Sequence, residues 1–107
     1  IEVNGVKLLA TEVSGVSSKD LRELADKLKD KLVSAIVVLA VVSNDKVSLV
    51  SAVTKNLTDQ YQAGSILNHV ASQIGGKGGG RADMAQGGGN DVEKLAQALE
   101  SVKDLIE

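Results

Sequence analysis

Aromatic side chains are almost missing. Tyr61 stands alone among 107 residues, with no Phe or Trp. Any core must therefore be aliphatic, built from Val, Leu, Ile and Ala, and an apolar share of 43% makes one such core plausible. Modules that read single-stranded RNA stack its bases on aromatic rings, so this chain is poorly equipped for that mode. Cysteine is absent. That excludes disulfides and thiolate metal sites and fits a reducing compartment. His69 is the only histidine, and no second one can converge with it on a metal. No apolar run reaches the roughly 20 residues of a membrane span. Neither sign of charge dominates, at a formal net charge of -2. A partner held by bulk electrostatics would call for far more basic charge. The chain opens on Ile1 with no basic-then-apolar leader. The expectation is one domain excised from a longer cytosolic protein.

What is present reads as alternating strands and helices. Val6 to Val13 is a mixed apolar and β-branched run, expected as a strand. Ser17 with Asp20 resembles a capping box, and Leu21, Leu24, Ala25, Leu28 and Leu32 then recur at helical spacing. The Lys, Arg, Asp and Glu between them read as a solvated face. Ala35 to Val42 is a continuous apolar run, expected as a strand covered on both faces. Residues 43–46, "SNDK", read as a hairpin turn into a second strand, Val47 to Thr54, and this pair is expected at the centre of the sheet. From about Tyr61 helical spacing returns with Ile66, Leu67, Val70, Ala71 and Ile74, and Gly75 and Gly76 stop it. Asn90 with Glu93 reads as a second capping box. Val92, Leu95, Ala96, Leu99, Val102 and Ile106 form the stripe of a closing helix. The fold class expected is α/β or α+β: a small mixed sheet with helices packed on it, in one compact domain.

Between the last two helices lies "GGKGGGRADMAQGGG", residues 75–89, with eight glycines among fifteen residues. It reads as a glycine-rich loop, with a short strand inside "RADMAQ" as an option. It is the one locally positive place, carrying Lys77 and Arg81 against Asp83, and the helix after it is acidic. Neither common phosphate loop is present. A Walker A loop needs Ser or Thr after its Gly-Lys, and Lys77 is followed by Gly78. A dinucleotide fingerprint follows a strand, and this stretch follows a helix. Glycine backbone can still approach an anion closely, and the run Gly87, Gly88, Gly89 leads into an expected helix N-terminus at Asn90. Arg81 can fork onto a phosphate. A flexible hairpin with no ligand is the plain alternative. Asp83 is expected to hydrogen-bond the loop backbone, Met84 and Ala85 to anchor the loop in the core, and Gln86 to face a ligand or satisfy backbone. His69 is expected at the boundary of the core. No paired carboxylates or Ser/His/Asp set stand at a useful spacing.

The whole stretch resembles the glycine-rich signature near the carboxyl end of alanyl-tRNA synthetases, with Ala82 where that family usually has proline. "VSLVSAVTKNLTDQYQAGSILNHVASQIGGKGGG" and "NDVEKLAQALESVKDLI" are similar to its flanks. The likeness is strongest over residues 47 to 106. It implies a carboxy-terminal, DHH-associated domain of an alanine–tRNA ligase, non-catalytic on its own and cytoplasmic. By the same resemblance, the partner is tRNA(Ala), held at the outer corner where the D and T loops meet, so that aminoacylation and editing act on one tRNA. The contact surface implied is Gly75, Gly76, Lys77, Gly78, Gly79, Gly80, Arg81, Gln86, Gly87, Gly88 and Gly89, with Asp83 shaping it. No cofactor or metal is implied for this part; ATP, magnesium and zinc are implied for the parent enzyme. Other domains of the same chain are further partners, and some members of the family form a homodimer. Two alternatives are the substrate-binding half of a DHH-type phosphodiesterase, whose relatives carry a histidine in the glycine motif, and a dimerisation module.

Overall fold

A computed structural model describes residues 2–3, 6–31 and 34–106. Six strands form one mixed sheet in the order β1-β2-β3-β4-β6-β5. The strands are β1 (Glu2–Val3), β2 (Val6–Val13), β3 (Ala35–Ser43), β4 (Lys46–Val53), β5 (Lys77–Gly80) and β6 (Met84–Gly89). The helices are α1 (Ser18–Lys31), α2 (Ala63–Gln73), α3 (Leu95–Glu100) and α4 (Val102–Ile106). β2 and β3 run parallel, joined by α1; every other pairing is antiparallel.

The aliphatic runs set the centre of the sheet, as the sequence predicts. Ala35 through Val41 are all buried, because helices cover β3 on both faces. Ile36, Val38 and Ala40 point into a larger core under α2, α3 and α4. Val37, Leu39 and Val41 point the other way, into a smaller core under α1 with Leu21 and Ala25. Asn44 and Asp45 turn the β3–β4 hairpin at φ 53° and 62°, the left-handed pair that a two-residue hairpin needs. The Ser17 hydroxyl accepts the Asp20 N–H at 3.2 Å, the N-terminal cap expected of α1. Leu24 and Leu28 pack at the margin of the smaller core, while Leu32 lies outside the described residues.

Three expectations are corrected. The glycine stretch is not a loop: most of it is the hairpin β5–β6, with β5 at the edge of the sheet opposite β1 and β6 hydrogen-bonded to β4. The short strand offered inside "RADMAQ" is present as the first half of β6, while glycine is a poor strand former and no local signal marks the rest. Asn90 does not cap a helix. Its N–H donates to the Ile74 carbonyl at 2.9 Å and its side chain lies over Gly75, so the chain first makes a 3₁₀ turn at Val92–Lys94. The closing helix is also not continuous. It bends at Ser101, whose Oγ donates to the Ala98 carbonyl at 2.6 Å, competing with the helix ladder. Leu95, Ala98, Leu99 and Val102 are the buried positions, and Ala96 is exposed.

Candidate functional site

The hairpin is held by two neighbours, β4 and α2. β4 pairs with β6, α2 lies across β4, β5 and β6, and the turn between the two strands caps α2, where the Ala63 N–H donates to the Ala82 carbonyl at 2.8 Å. Strand alternation sorts its residues onto two faces. Gly78, Gly80, Ala85, Gly87 and Gly89 lie on the α2 side of the sheet, in register with Leu49 and Ser51 or their neighbours. Lys77, Gly79, Met84, Gln86 and Gly88 lie on the α1 side, in register with Ser48, Val50 and Ala52. Helix α1 covers β3 and β4 and leaves most of this second side of the hairpin open: Lys77, Gly79 and Gln86 are exposed.

Most of the glycines have an internal reason. A Cβ on Gly78 would come 2.7 Å from the Gln86 carbonyl oxygen and 2.9 Å from Leu67 Cδ2. A Cβ on Gly80 would come 2.6 Å from the Met84 carbonyl oxygen, and one on Gly87 2.6 Å from Gly78 Cα. Gly76, Gly88 and Gly89 are blocked in the same way, by the backbone of Gly88, by Val47 and by Ile74. Gly75 terminates α2 at φ 72°, the left-handed position where a Cβ is penalised. A Cβ on Gly64 of α2 would stand 3.4 Å from the Gly80 carbonyl, an ordinary contact distance, so α2 lies close against β5 there. Gly79 is different. A Cβ there meets nothing within 4 Å, and its φ is ordinary. Of the glycines in the hairpin strands it is the one that packing does not require.

The charged groups around Gly79 come from two elements. Lys77 and Arg81 are exposed, at the start of β5 and in the turn. The Arg81 N–H donates to the Met84 carbonyl at 2.8 Å and tightens that turn. Arg22, on α1, opens onto the same shallow cleft of about 160 Å³ as Gly79, Arg81, Met84 and Gln86. A neighbouring groove of about 430 Å³ runs along α1 between Lys19, Glu23, Asp26, Lys29 and Asp83, and shares Arg22, Arg81 and Met84 with the cleft. Asp83 does not serve the loop backbone through its side chain. Its carboxylate lies 3.7 Å from Lys29 Nζ, which is also 3.7 Å from Asp26, while its backbone carbonyl accepts the Val53 N–H. Arg22 was absorbed into a solvated helix face by sequence reasoning. Its place beside the hairpin depends on how α1 crosses the sheet, which no local pattern records.

His69 and Tyr61 take no part in this surface. His69 Nε2 lies 3.0 Å from Ser101 Oγ, and Gln73 Nε2 donates to the same hydroxyl at 2.9 Å. Ser101 already donates to Ala98, so its oxygen accepts both, and the proton of that contact sits on His69 Nε2. Tyr61 packs against the larger core. Among the described residues no three His, Asp or Glu side chains are grouped to hold a metal. A cavity of about 520 Å³ lies at the other side of the sheet between β2 and α3, around Leu8, Ala10, Ala96 and Leu99. Among the described residues no helix is long and apolar enough to cross a membrane.

Comparison with known proteins agrees with this architecture. The model of the DHHA1 domain matches residues 5–107. An alanine–tRNA ligase from Vesicomyosocius okutanii is 71% identical over 105 residues, covering 98% of this chain and 12% of that protein. One from Hydrogenovibrio crunogenus is 57% identical over 105 residues, with the same coverage of 98% and 12%. The chain thus spans about 12% of the length of the curated relatives it matches. The crystal structure of the C-Ala domain from Aquifex aeolicus alanyl-tRNA synthetase superposes with a TM-score of 0.93 at 32% identity, covering 99% of this chain and 96% of that one. Family model, relatives and fold agree, and the chain belongs to the DHHA1 domain family, in the form taken by the C-Ala domain of alanyl-tRNA synthetase.

Proposed function

We propose that this chain is the tRNA-holding carboxy-terminal part of a cytoplasmic alanine–tRNA ligase, without catalysis of its own. The glycine hairpin presents its α1-facing side to the outer corner of tRNA(Ala), where the D and T loops meet. The other domains of the parent enzyme, with their ATP, magnesium and zinc, supply aminoacylation and editing, and this domain helps keep one tRNA within reach of both. The relatives described above are ligases, which favours this reading over a phosphodiesterase half.

Gly79 carries the reading. A glycine with open space around it and an ordinary φ has no duty inside the fold. Its missing side chain matters only to something arriving from outside. Lys77 and Arg81 flank it, and both are exposed. A folded RNA recognised by shape and backbone needs a flat surface and a few cations, and no aromatic platform. Affinity from so few charges is modest, and tethering to other tRNA-binding domains raises the effective concentration enough for weak contacts to suffice.

The test is Gly79→Leu, with tRNA(Ala) binding and thermal stability measured side by side. The variant should fold like the parent and bind tRNA(Ala) at least several-fold more weakly, as should Lys77→Ala combined with Arg81→Ala. A stable Gly79→Leu variant that binds as the parent does, together with a double variant that also does, would remove the hairpin from the interface.

A further inference from the structure

Two guanidinium groups from distant parts of the chain face one cleft. Arg22 belongs to the second turn of α1 and Arg81 to the hairpin turn, and both line the same depression with Gly79, Met84 and Gln86. No carboxylate lines it. Among the described residues neither guanidinium has an ion-pair partner, whereas Lys29 has two and Lys94 one. The neighbouring groove along α1 shares Arg22, Arg81 and Met84 with this cleft and adds carboxylates. There Lys19 and Lys29 are interleaved with Glu23, Asp26 and Asp83. Arg22 and Arg81 stand between the two, so a polyanion is drawn to the glycine-floored side of the pair and kept off the side that holds Glu23, Asp26 and Asp83.

The cleft suits one chemical group. Arginine presents a planar fork of donors that matches two phosphate oxygens, and two forks leave few oxygens of a phosphodiester without a donor. The floor is glycine backbone at Gly79, where nothing stands above the main chain. A phosphate can therefore settle between the two side chains instead of resting on them. The Gln86 amide, on the same face and in register with Gly79, adds a neutral donor. We propose that Arg22 and Arg81 together grip a single phosphodiester of the RNA backbone in this cleft, which makes α1 the second wall of the RNA-binding surface. This rests on the reading that RNA approaches the α1-facing side of the glycine hairpin.

The domain can be tested as it stands, since its Aquifex aeolicus counterpart was solved as a chain of which this one covers 96%. The probe is a tRNA(Ala) transcript, titrated at low salt against the parent, Arg22→Ala, Arg22→Lys, Arg81→Ala, the Arg22→Ala/Arg81→Ala double variant and Lys77→Ala. Arg22 is exposed, so its variants should melt with the parent; Arg22→Gln keeps much of the stem if the alanine variant does not. Arg22→Ala should weaken binding roughly three- to tenfold. Lysine should recover only part of that loss, because it cannot fork. The Arg22 effect should shrink in the Arg81→Ala background, since both side chains share one phosphate. Parent-like binding by Arg22→Ala, with Lys77→Ala and Arg81→Ala both weakened, overturns the joint grip and leaves the hairpin reading standing. Undiminished loss in the Arg81→Ala background, or full recovery by lysine, also overturns the shared phosphate. Parent-like binding by every variant overturns both readings.

Discussion

Gly78 and Leu67 meet where α2 crosses the edge strand β5: a Cβ on Gly78 would stand 2.9 Å from Leu67 Cδ2. The next residue, Gly79, faces the opposite way into open space. Adjacent glycines thus have separate roles, and alanine substitution distinguishes them. Gly78→Ala must move the Gln86 carbonyl or Gly87, both backbone, and should lose about 1–3 kcal/mol of stability. Gly79→Ala should stay within about 0.5 kcal/mol of the parent. Denaturant unfolding of both variants decides the matter. Equal stability of the two would mean the hairpin does not rest on α2 as described.

Ser101 gathers three polar partners at the bend between α3 and α4. Its hydroxyl accepts from Gln73 and His69 on α2 and donates to Ala98. The site is half-buried, so Ser101→Ala leaves His69 Nε2 without its acceptor and Gln73 Nε2 with the His69 carbonyl alone. A loss of roughly 1–2 kcal/mol should follow. Ser72→Ala is the control, because Ser72 is exposed and makes one hydrogen bond, to the His69 carbonyl. Its cost should remain under about 0.5 kcal/mol. Matching losses in the two variants would remove Ser101 as the tie between the closing helices and α2.

Ser51 is fully buried in β4, and its Oγ has no hydrogen-bond partner among the described residues. It lies on the α2 side of the sheet, opposite Val38 and Ala85. A buried hydroxyl without a partner costs free energy, so Ser51→Ala should stabilise the fold by about 1 kcal/mol. Thermal and denaturant unfolding give the sign directly. A destabilised alanine variant would mean that the hydroxyl is satisfied in solution, for instance by an internal water.

The strands that rest on their own side chains were legible in the sequence, and those that rest on other elements were not. β2 spans the residues its β-branched run implies, and β3 matches to within one residue of its apolar run. The Asn44–Asp45 turn followed from residue type alone, since both tolerate a positive φ. Of the hairpin β5–β6 only a short strand inside "RADMAQ" was legible, because the reason for the glycine strands is distant. Gly76, Gly78, Gly87 and Gly88 are glycine to let strands and α2 approach, and that geometry exists only after the chain has folded. Lys77 and Arg81 could be singled out by their setting among glycines. Arg22 could not, because the direction in which α1 crosses the sheet places it there. The Asn90 cap misled for a related reason: the Ile74 carbonyl, sixteen positions earlier, takes the N–H that begins the segment.

Salt provides the remaining test of the RNA surface. Lys77, Arg81 and Arg22 are the cations beside the open face of the hairpin. With Lys77 on one phosphate and Arg22 and Arg81 sharing another, two neutralised phosphates imply that log K falls against log[salt] with a slope of about −2, shallow for a nucleic-acid binder. Lys77→Ala should flatten the slope by about one and weaken binding to any folded RNA alike, since a phosphate contact carries no sequence information. The chain's formal charge of -2 works in the same direction, giving no diffuse attraction to add to these contacts. Titrations of a tRNA(Ala) transcript at several salt concentrations measure the slope. A steep dependence that Lys77→Ala leaves unchanged would move the contact surface to another part of the domain.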